Sequence, residues 1–234
     1  MSDVLLAVET STEACSVALL AGGESRWRHQ VAPREHARLV GSFIEELLAD
    51  AGLERKAIDA IAFGRGPGSF TGVRIATSLV QGLALSLERP VIPVSTLAVL
   101  AQGGLRRNAG CTHALAAIDA RMGQVYWGAF RRGSGGLAEL LGKEAVLDPH
   151  AVRADEVTES DAVMGAGTGW GAHGEALAQT LGHAPRMVEE DALPEARDLL
   201  ELALPRLQAG QVLDAAEAQP VYLRDNVASK PKPR

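Results

Sequence analysis

Short apolar runs and polar breaks alternate along this chain in an order that reads as strands and helices. Residues 4–8 and 14–20 are compact apolar runs, separated by the polar stretch Glu9-Thr10-Ser11-Thr12-Glu13. Ala21-Gly22-Gly23-Glu24 is a turn signal, and residues 25–31 alternate as a third strand, so the chain opens as an antiparallel meander. A helix follows from Pro33, since proline is tolerated in a first turn. Its apolar positions are Ala37, Leu39, Val40, Phe43, Ile44, Leu47, Leu48 and Ala51. At ~100° per residue they cover roughly 180°, whereas a helix lying on one sheet needs only about 100°. Leu39 and Phe43 lie at the far side of that arc. Either the helix is covered on two sides within its own domain, or one face is kept for a partner.

Residues 57–63 read as a strand and residues 75–87 as a helix. Between them lies Gly64-Arg65-Gly66-Pro67-Gly68-Ser69-Phe70-Thr71-Gly72-Val73-Arg74. Gly66 and Gly68 tolerate positive φ, Pro67 fixes its own, and Ser69 or Thr71 is placed to cap the helix. A glycine-rich turn from strand to helix is also where phosphate is often held, on free N–H groups and the helix dipole. Ser78, Gly82 and Ser86 recur every fourth residue and make a flat side, beside a ridge of Leu79, Leu83 and Leu87. Glycine inside a helix costs roughly 1 kcal/mol relative to alanine, so close packing is the expected reason for Gly82. Residues 91–94 form the next strand and 97–105 the next helix, begun by Ser95-Thr96. The polar break Arg106-Arg107-Asn108-Ala109-Gly110 is expected to divide a first lobe, 1–105, from a second, 106–234.

The second half repeats the first. Strands are expected over 114–118, 124–130, 137–141 and 161–164, and helices over 151–157, 171–181 and 195–208. The first of these strands ends in Asp119, as residues 4–8 ended in Glu9. The facing turns would be Glu9-Thr10-Ser11-Thr12 and Asp119-Ala120-Arg121. Two copies of β-β-β-α-β-α describe an α/β protein of the duplicated ribonuclease H-like fold, shared by actin and sugar kinases. In that architecture the two turns hold ATP phosphates between them. Val221-Tyr222-Leu223 is strand-like, and the end, Lys230-Pro231-Lys232-Pro233-Arg234, is basic and broken by proline. That end reads as a solubilising tail.

Composition narrows the choice. A net charge of −6 over 234 residues argues against a broad basic face for nucleic acid. Cys15 and Cys111 sit in apolar runs without framework spacing and are expected to be reduced. The first residues are too acidic for a signal peptide, and no run approaches the ~18 apolar residues of a membrane span, so a cytoplasmic protein with no membrane contact is expected.

The chemistry tested against the glycine loop fails in turn. A P-loop needs a lysine on the phosphates, and lysines stand only at 56, 143, 230 and 232. The dinucleotide fingerprint fails because Gly66, Gly68 and Gly72 read G-x-G-x-x-x-G. Ser69 lacks the Gly-x-Ser-x-Gly context of a nucleophile elbow. The six histidines include no helical i, i+4 pair, so no metal site or cofactor is assigned. His36, alone on the first helix, is of a kind more often a surface or packing residue than a ligand. A structural turn is the favoured reading of the loop. At Asp119-Ala120-Arg121-Met122, arginine and methionine stand where phosphate would want small residues, so the cleft reads as vestigial. An independent ATP-using phosphotransferase remains the alternative.

Several blocks together resemble the bacterial TsaB (YeaZ) family of tRNA threonylcarbamoyladenosine biosynthesis proteins. They are Glu9-Thr10-Ser11-Thr12-Glu13-Ala14-Cys15-Ser16-Val17-Ala18, Pro33-Arg34-Glu35-His36, the loop 64–74, Val94-Ser95-Thr96-Leu97, residues 116–127, Gly167-Thr168-Gly169-Trp170 and Pro220-Val221-Tyr222-Leu223-Arg224. Glu9 is a departure, since some members carry Asp there. The resemblance implies a non-catalytic subunit that pairs with a larger catalytic paralogue, TsaD. It also implies that an ATPase, TsaE, binds the pair, that tRNA is met only indirectly, and that the same helices make homodimers. The paralogue's ligands are two histidines at i, i+4 on the first helix, where this chain has only His36. Periodicity and resemblance together nominate His36, Leu39, Val40, Phe43, Leu47, Ser78, Leu79, Gly82 and Leu83 as the partner face, with Arg65 and Arg74 at its rim. On that basis Phe43→Arg or Gly82→Arg is expected to leave the fold intact and abolish pairing.

Overall fold

In the computed structural model residues 3–158 and 160–224 are described, and the basic residues Lys230, Lys232 and Arg234 lie outside them. β1 (Leu5–Glu9), β2 (Ala14–Ala21) and β3 (Glu24–Val31) form the expected meander. α1 (His36–Ala51) follows, starting three residues later than Pro33 and stopping at Gly52, whose left-handed φ of 66° caps it. β4 (Ala60–Gly64), α2 (Phe70–Leu87), β5 (Val91–Val94) and α3 (Thr96–Arg107) complete the first half. Strand order is β3-β2-β1-β4-β5, with β4 and β5 parallel to β1.

The second half runs β6 (His113–Arg121), β7 (Gln124–Arg132), β8 (Ala138–Leu147), β9 (Val163–Ala166), α4 (Thr168–Leu181), β10 (Met187–Glu189) and α5 (Ala196–Gln208). Its sheet, β8-β7-β6-β9-β10, has the same order as the first. This is the duplicated ribonuclease H-like arrangement. The copy is imperfect, because the helix expected over 151–157 is absent. Only a 3-10 turn at Pro149–Ala151 forms, and then an extended stretch fills the place. Val152 is buried there, and the indole N–H of Trp127 donates to the Arg153 carbonyl at 2.9 Å. The backbone is thus held by a side chain of the sheet it covers and has no need of a helix. Residues 221–223 form no strand either.

Alternation along the central strands sets the layers. Leu6 and Val8 of β1 face a core built with α1 and α2, whereas Leu5 and Ala7 face the opposite side. On that opposite side lies α5, from the far end of the chain, while α3 packs on the second sheet. α3 and α5 touch each other, and the ion pair Arg106–Asp198 (2.6 Å) ties them across a buried carboxylate. The order is therefore α1 and α2, first sheet, α5 with α3, second sheet, α4. One core joins both halves. A cut at 105/106 falls within the last turn of α3, parts most of that helix from the sheet it covers, and leaves α5 with the half whose sheet it does not cover. The sequence break at Arg106 cannot show this, because both helices are apolar on faces that either sheet would accept.

Candidate functional site

Glycines of the loop permit close approach, and phosphate chemistry is not needed to explain them. A Cβ at Gly68 would overlap the Ser11 carbonyl, one at Gly72 the Thr10 carbonyl, and one at Gly64 the Glu9 carboxylate. Gly66, at φ 95°, lies beside the Val221 carbonyl, and its peptide to Pro67 is cis. Three donors around the loop are committed internally. The N–H of Ser69 donates to Ser11 O (2.7 Å), and that of Ser11 to Glu9 Oε1 (2.6 Å). The Thr10 hydroxyl donates to Gly72 O (2.7 Å). Ser69 is the N-cap of α2, accepting from Gly72 N–H at 3.4 Å, and Thr71 lies inside the helix, exposed. The loop is a lock between the β1–β2 turn and α2.

Glu9 and Thr10 are fully buried and point into this lock, so they do not line a cleft as expected. Burial pushes the Glu9 carboxyl above the usual carboxylate range, against bonds from Ser11 and Thr96 that act the other way. A cleft of about 850 Å³ does lie between the facing turns, and Ser11, Thr12, Glu13, Asp119 and Arg121 line it. Arg121 spans it, 3.1 Å from Asp119 Oδ2 and 3.7 Å from Glu13 Oε1. The N–H of Arg121 donates to Asp119 Oδ1 (2.9 Å), so this turn too spends its donor at home. Phe70, Tyr222 and Arg224 also line the cleft. Reading by periodicity passed over them, although an aromatic at a helix N-terminus facing solvent is a visible signal.

The proposed partner face divides in two. Leu39, Val40, Phe43 and Leu47 are buried with Ile44 and Leu48 in the first core, which takes up the wide arc of α1 apart from the exposed Ala37. Their burial corrects the assignment, because a side chain enclosed by its own sheet offers nothing to a partner. His36 is buried as well, and its Nε2 lies 2.9 Å from Thr12 O, fixing the start of α1 to the β1–β2 turn. Arg65 also leaves the face, since its guanidinium turns to Glu144 of β8 at 3.9 Å. On α2 the nomination fares differently. Ser78 and Gly82 are exposed, Leu79 and Leu83 half-buried, and a Cβ at Gly82 would meet nothing within 4 Å. Close packing within the chain therefore does not explain Gly82. By length and composition alone α2 is long and apolar enough to cross a membrane, but Arg74, Gln81 and its hydroxyl residues interrupt the apolar run, and a third of it is buried. Ala76, Val80 and Ala84 pack against the first sheet, while Leu85 is 57% exposed. Gly41 of α1, also open, lies on the same outer side of the sheet.

With this geometry in place, comparison with known proteins is decisive. A family model described as tRNA N6-adenosine threonylcarbamoyltransferase (TsaD) matches residues 29–232. The tRNA threonylcarbamoyladenosine biosynthesis protein TsaB of Escherichia coli is 43% identical over 98% of both chains. The chain belongs to the TsaD family, in its TsaB (YeaZ) branch. TsaB of Haemophilus influenzae is 37% identical over 98% of this chain and 97% of its own. The structure of YeaZ from Pseudomonas aeruginosa superposes with a TM-score of 0.87 at 46% identity, over 95% of this chain and all of the other. The family therefore agrees with the motif reading, and the sheet order agrees with the fold expected for it.

Proposed function

We propose that the chain serves tRNA threonylcarbamoyladenosine biosynthesis in the cytoplasm as a non-catalytic subunit. It docks a catalytic TsaD paralogue through the outer surface of α2, with α1 beside it, and TsaE binds the pair. Alone, it self-associates through the same surface. The observation that carries this reading is the open side of α2, where Ser78, Gly82 and Leu85 face outward from an apolar helix that is two-thirds unburied. Small residues there let another helix come close, and the half-buried leucines alongside supply apolar area. The non-catalytic part draws support from the lock at the glycine loop, where the Ser11 and Ser69 N–H groups and the Glu9 carboxylate are engaged within the chain.

Gly82→Arg tests the docking surface, because the open position accepts a long side chain without disturbing the core. Size-exclusion chromatography with the TsaD partner is expected to show the wild type co-eluting and the variant separate. An unchanged complex refutes the surface. Reconstituted tRNA modification is expected to stop without the chain, and modification at full rate in its absence refutes the role.

A further inference from the structure

The mouth of the cleft carries chemistry that docking through α2 leaves unused. Phe70 is 56% exposed and Tyr222 44%, with ring centroids 5.9 Å apart. The Arg74 guanidinium carbon lies 3.4 Å from the Phe70 centroid and 5.4 Å from that of Tyr222. Three arginines line this space, Arg74, Arg121 and Arg224, against two carboxylates, Glu13 and Asp119. Arg121 bridges both acids. Arg224 spends its Nη2 on neutral acceptors, Ala120 O (3.1 Å), Arg121 O (3.4 Å) and Gln124 Oε1 (2.7 Å), and its Nη1 lies 3.6 Å from Met122 Sδ. Among the described residues, neither Arg74 nor Arg224 meets a carboxylate, so both charges stand uncompensated at the rim.

A guanidinium laid on an aromatic face keeps its N–H edges free for a planar, bidentate anion. An exposed ring beside it is a stacking surface for a base. Side chains supply this site, since the turn N–H groups of Ser11, Ser69 and Arg121 are engaged within the chain. A polyphosphate held on turn amides is not what it suits. The volume of about 850 Å³ accepts a nucleotide-sized unit. With a net charge of −6 the contact has to be local. We infer that the mouth of the cleft holds one unpaired nucleotide of an RNA strand, its base on Phe70 and Tyr222 and its phosphates on Arg74 and Arg224. The inference rests on the proposed role in tRNA modification and names where this chain touches the RNA.

The test uses the full chain and a fluorescent single-stranded RNA heptamer, read by anisotropy at two salt concentrations. An RNA duplex, adenosine monophosphate and a Glu-rich peptide containing Phe serve as competitors. The heptamer is expected to bind and to be displaced by none of the three at equal concentration. Tyr222→Ala should weaken binding about ten-fold, and Arg74→Gln should lower the salt slope by about 0.7. Both positions are exposed, and unchanged thermal melting shows that each variant is folded. Absent binding, variants that bind as the wild type does, or displacement by any competitor overturns the inference. Reconstituted modification separates the two readings. If the chain is required but Tyr222→Ala and Arg74→Gln work at full rate, the RNA site falls and the subunit role stands. If the chain is dispensable, the role itself falls.

Discussion

Two glycines of α2, ten residues apart, should respond in opposite directions to the same substitution. At Gly72, alanine would drive a methyl into the carbonyl of Thr10, a fully buried residue. Relief requires the turn and the helix to part. That breaks the bond from Thr10 Oγ1 to Gly72 O and the one from Ser69 N–H to Ser11 O, each 2.7 Å. A net hydrogen bond contributes about 1 kcal/mol, and each buried group left unmade costs about 1–3 kcal/mol, so Gly72→Ala should lose about 3–5 kcal/mol. At Gly82 the new methyl meets open space and only the helix propensity changes, so Gly82→Ala should gain about 1 kcal/mol. Urea unfolding of the three proteins, followed by tryptophan fluorescence, measures both. A Gly72→Ala loss below about 1 kcal/mol refutes the lock, because stronger steric conflict than this is rarely relieved for less. A Gly82→Ala loss refutes the open face, since it would mean that something within the chain packs there.

Two further predictions concern burial. Glu9 has a raised carboxyl pKa in the native state, so the folded protein holds its proton longer than the unfolded chain does. Stability should fall as pH rises from about 4.5 through the native value, and Glu9→Gln should remove that component. The variant should gain on the wild type between pH 4 and pH 8 in urea titrations; a flat or reversed difference contradicts the assignment. Phe43→Arg, which periodicity expected to spare the fold, should instead unfold or strongly destabilise it. Removing a buried phenylalanine alone costs about 3–5 kcal/mol, and a guanidinium in its place adds desolvation. A native circular dichroism spectrum with a normal melting temperature would contradict this.

Much of the fold was legible because period and punctuation are local properties. The meander, the Gly64–Arg74 strand-to-helix turn, the Ser69 cap and the helix at 196–208 all announce themselves in a few residues. The missing helix over 151–157 was not legible, since its replacement depends on the Trp127 indole reaching Arg153 from another strand. The exchange of α3 and α5 was hidden for the same reason: an apolar stripe states that a helix is covered, and says nothing of which sheet covers it. The wide arc of α1 misled in the opposite sense. It measures how deeply the helix is set into its own core, and the outward face is better seen on α2 at Gly82, where small residues occur without a neighbour to fit. At the cleft, the motif blocks contained Phe70 and Tyr222 but gave no sign that the two lie together, because they meet only where the chain returns after α5 and its Val221 N–H bonds to Arg65 O at 2.8 Å.

That return has a consequence for the order of synthesis. The first sheet is complete in sequence by residue 94, yet α5 (Ala196–Gln208), the helix that covers one of its faces, comes from near the far end. A growing chain therefore presents Leu5, Ala7, Ala60, Ala62, Ile92 and Val94 uncovered for roughly a hundred residues of translation. Contacts so distant along the chain close late and slow folding. The nascent first half is an exposed apolar surface waiting for its lid, and a stop codon shortly before residue 196 should yield an aggregating fragment rather than a smaller working protein.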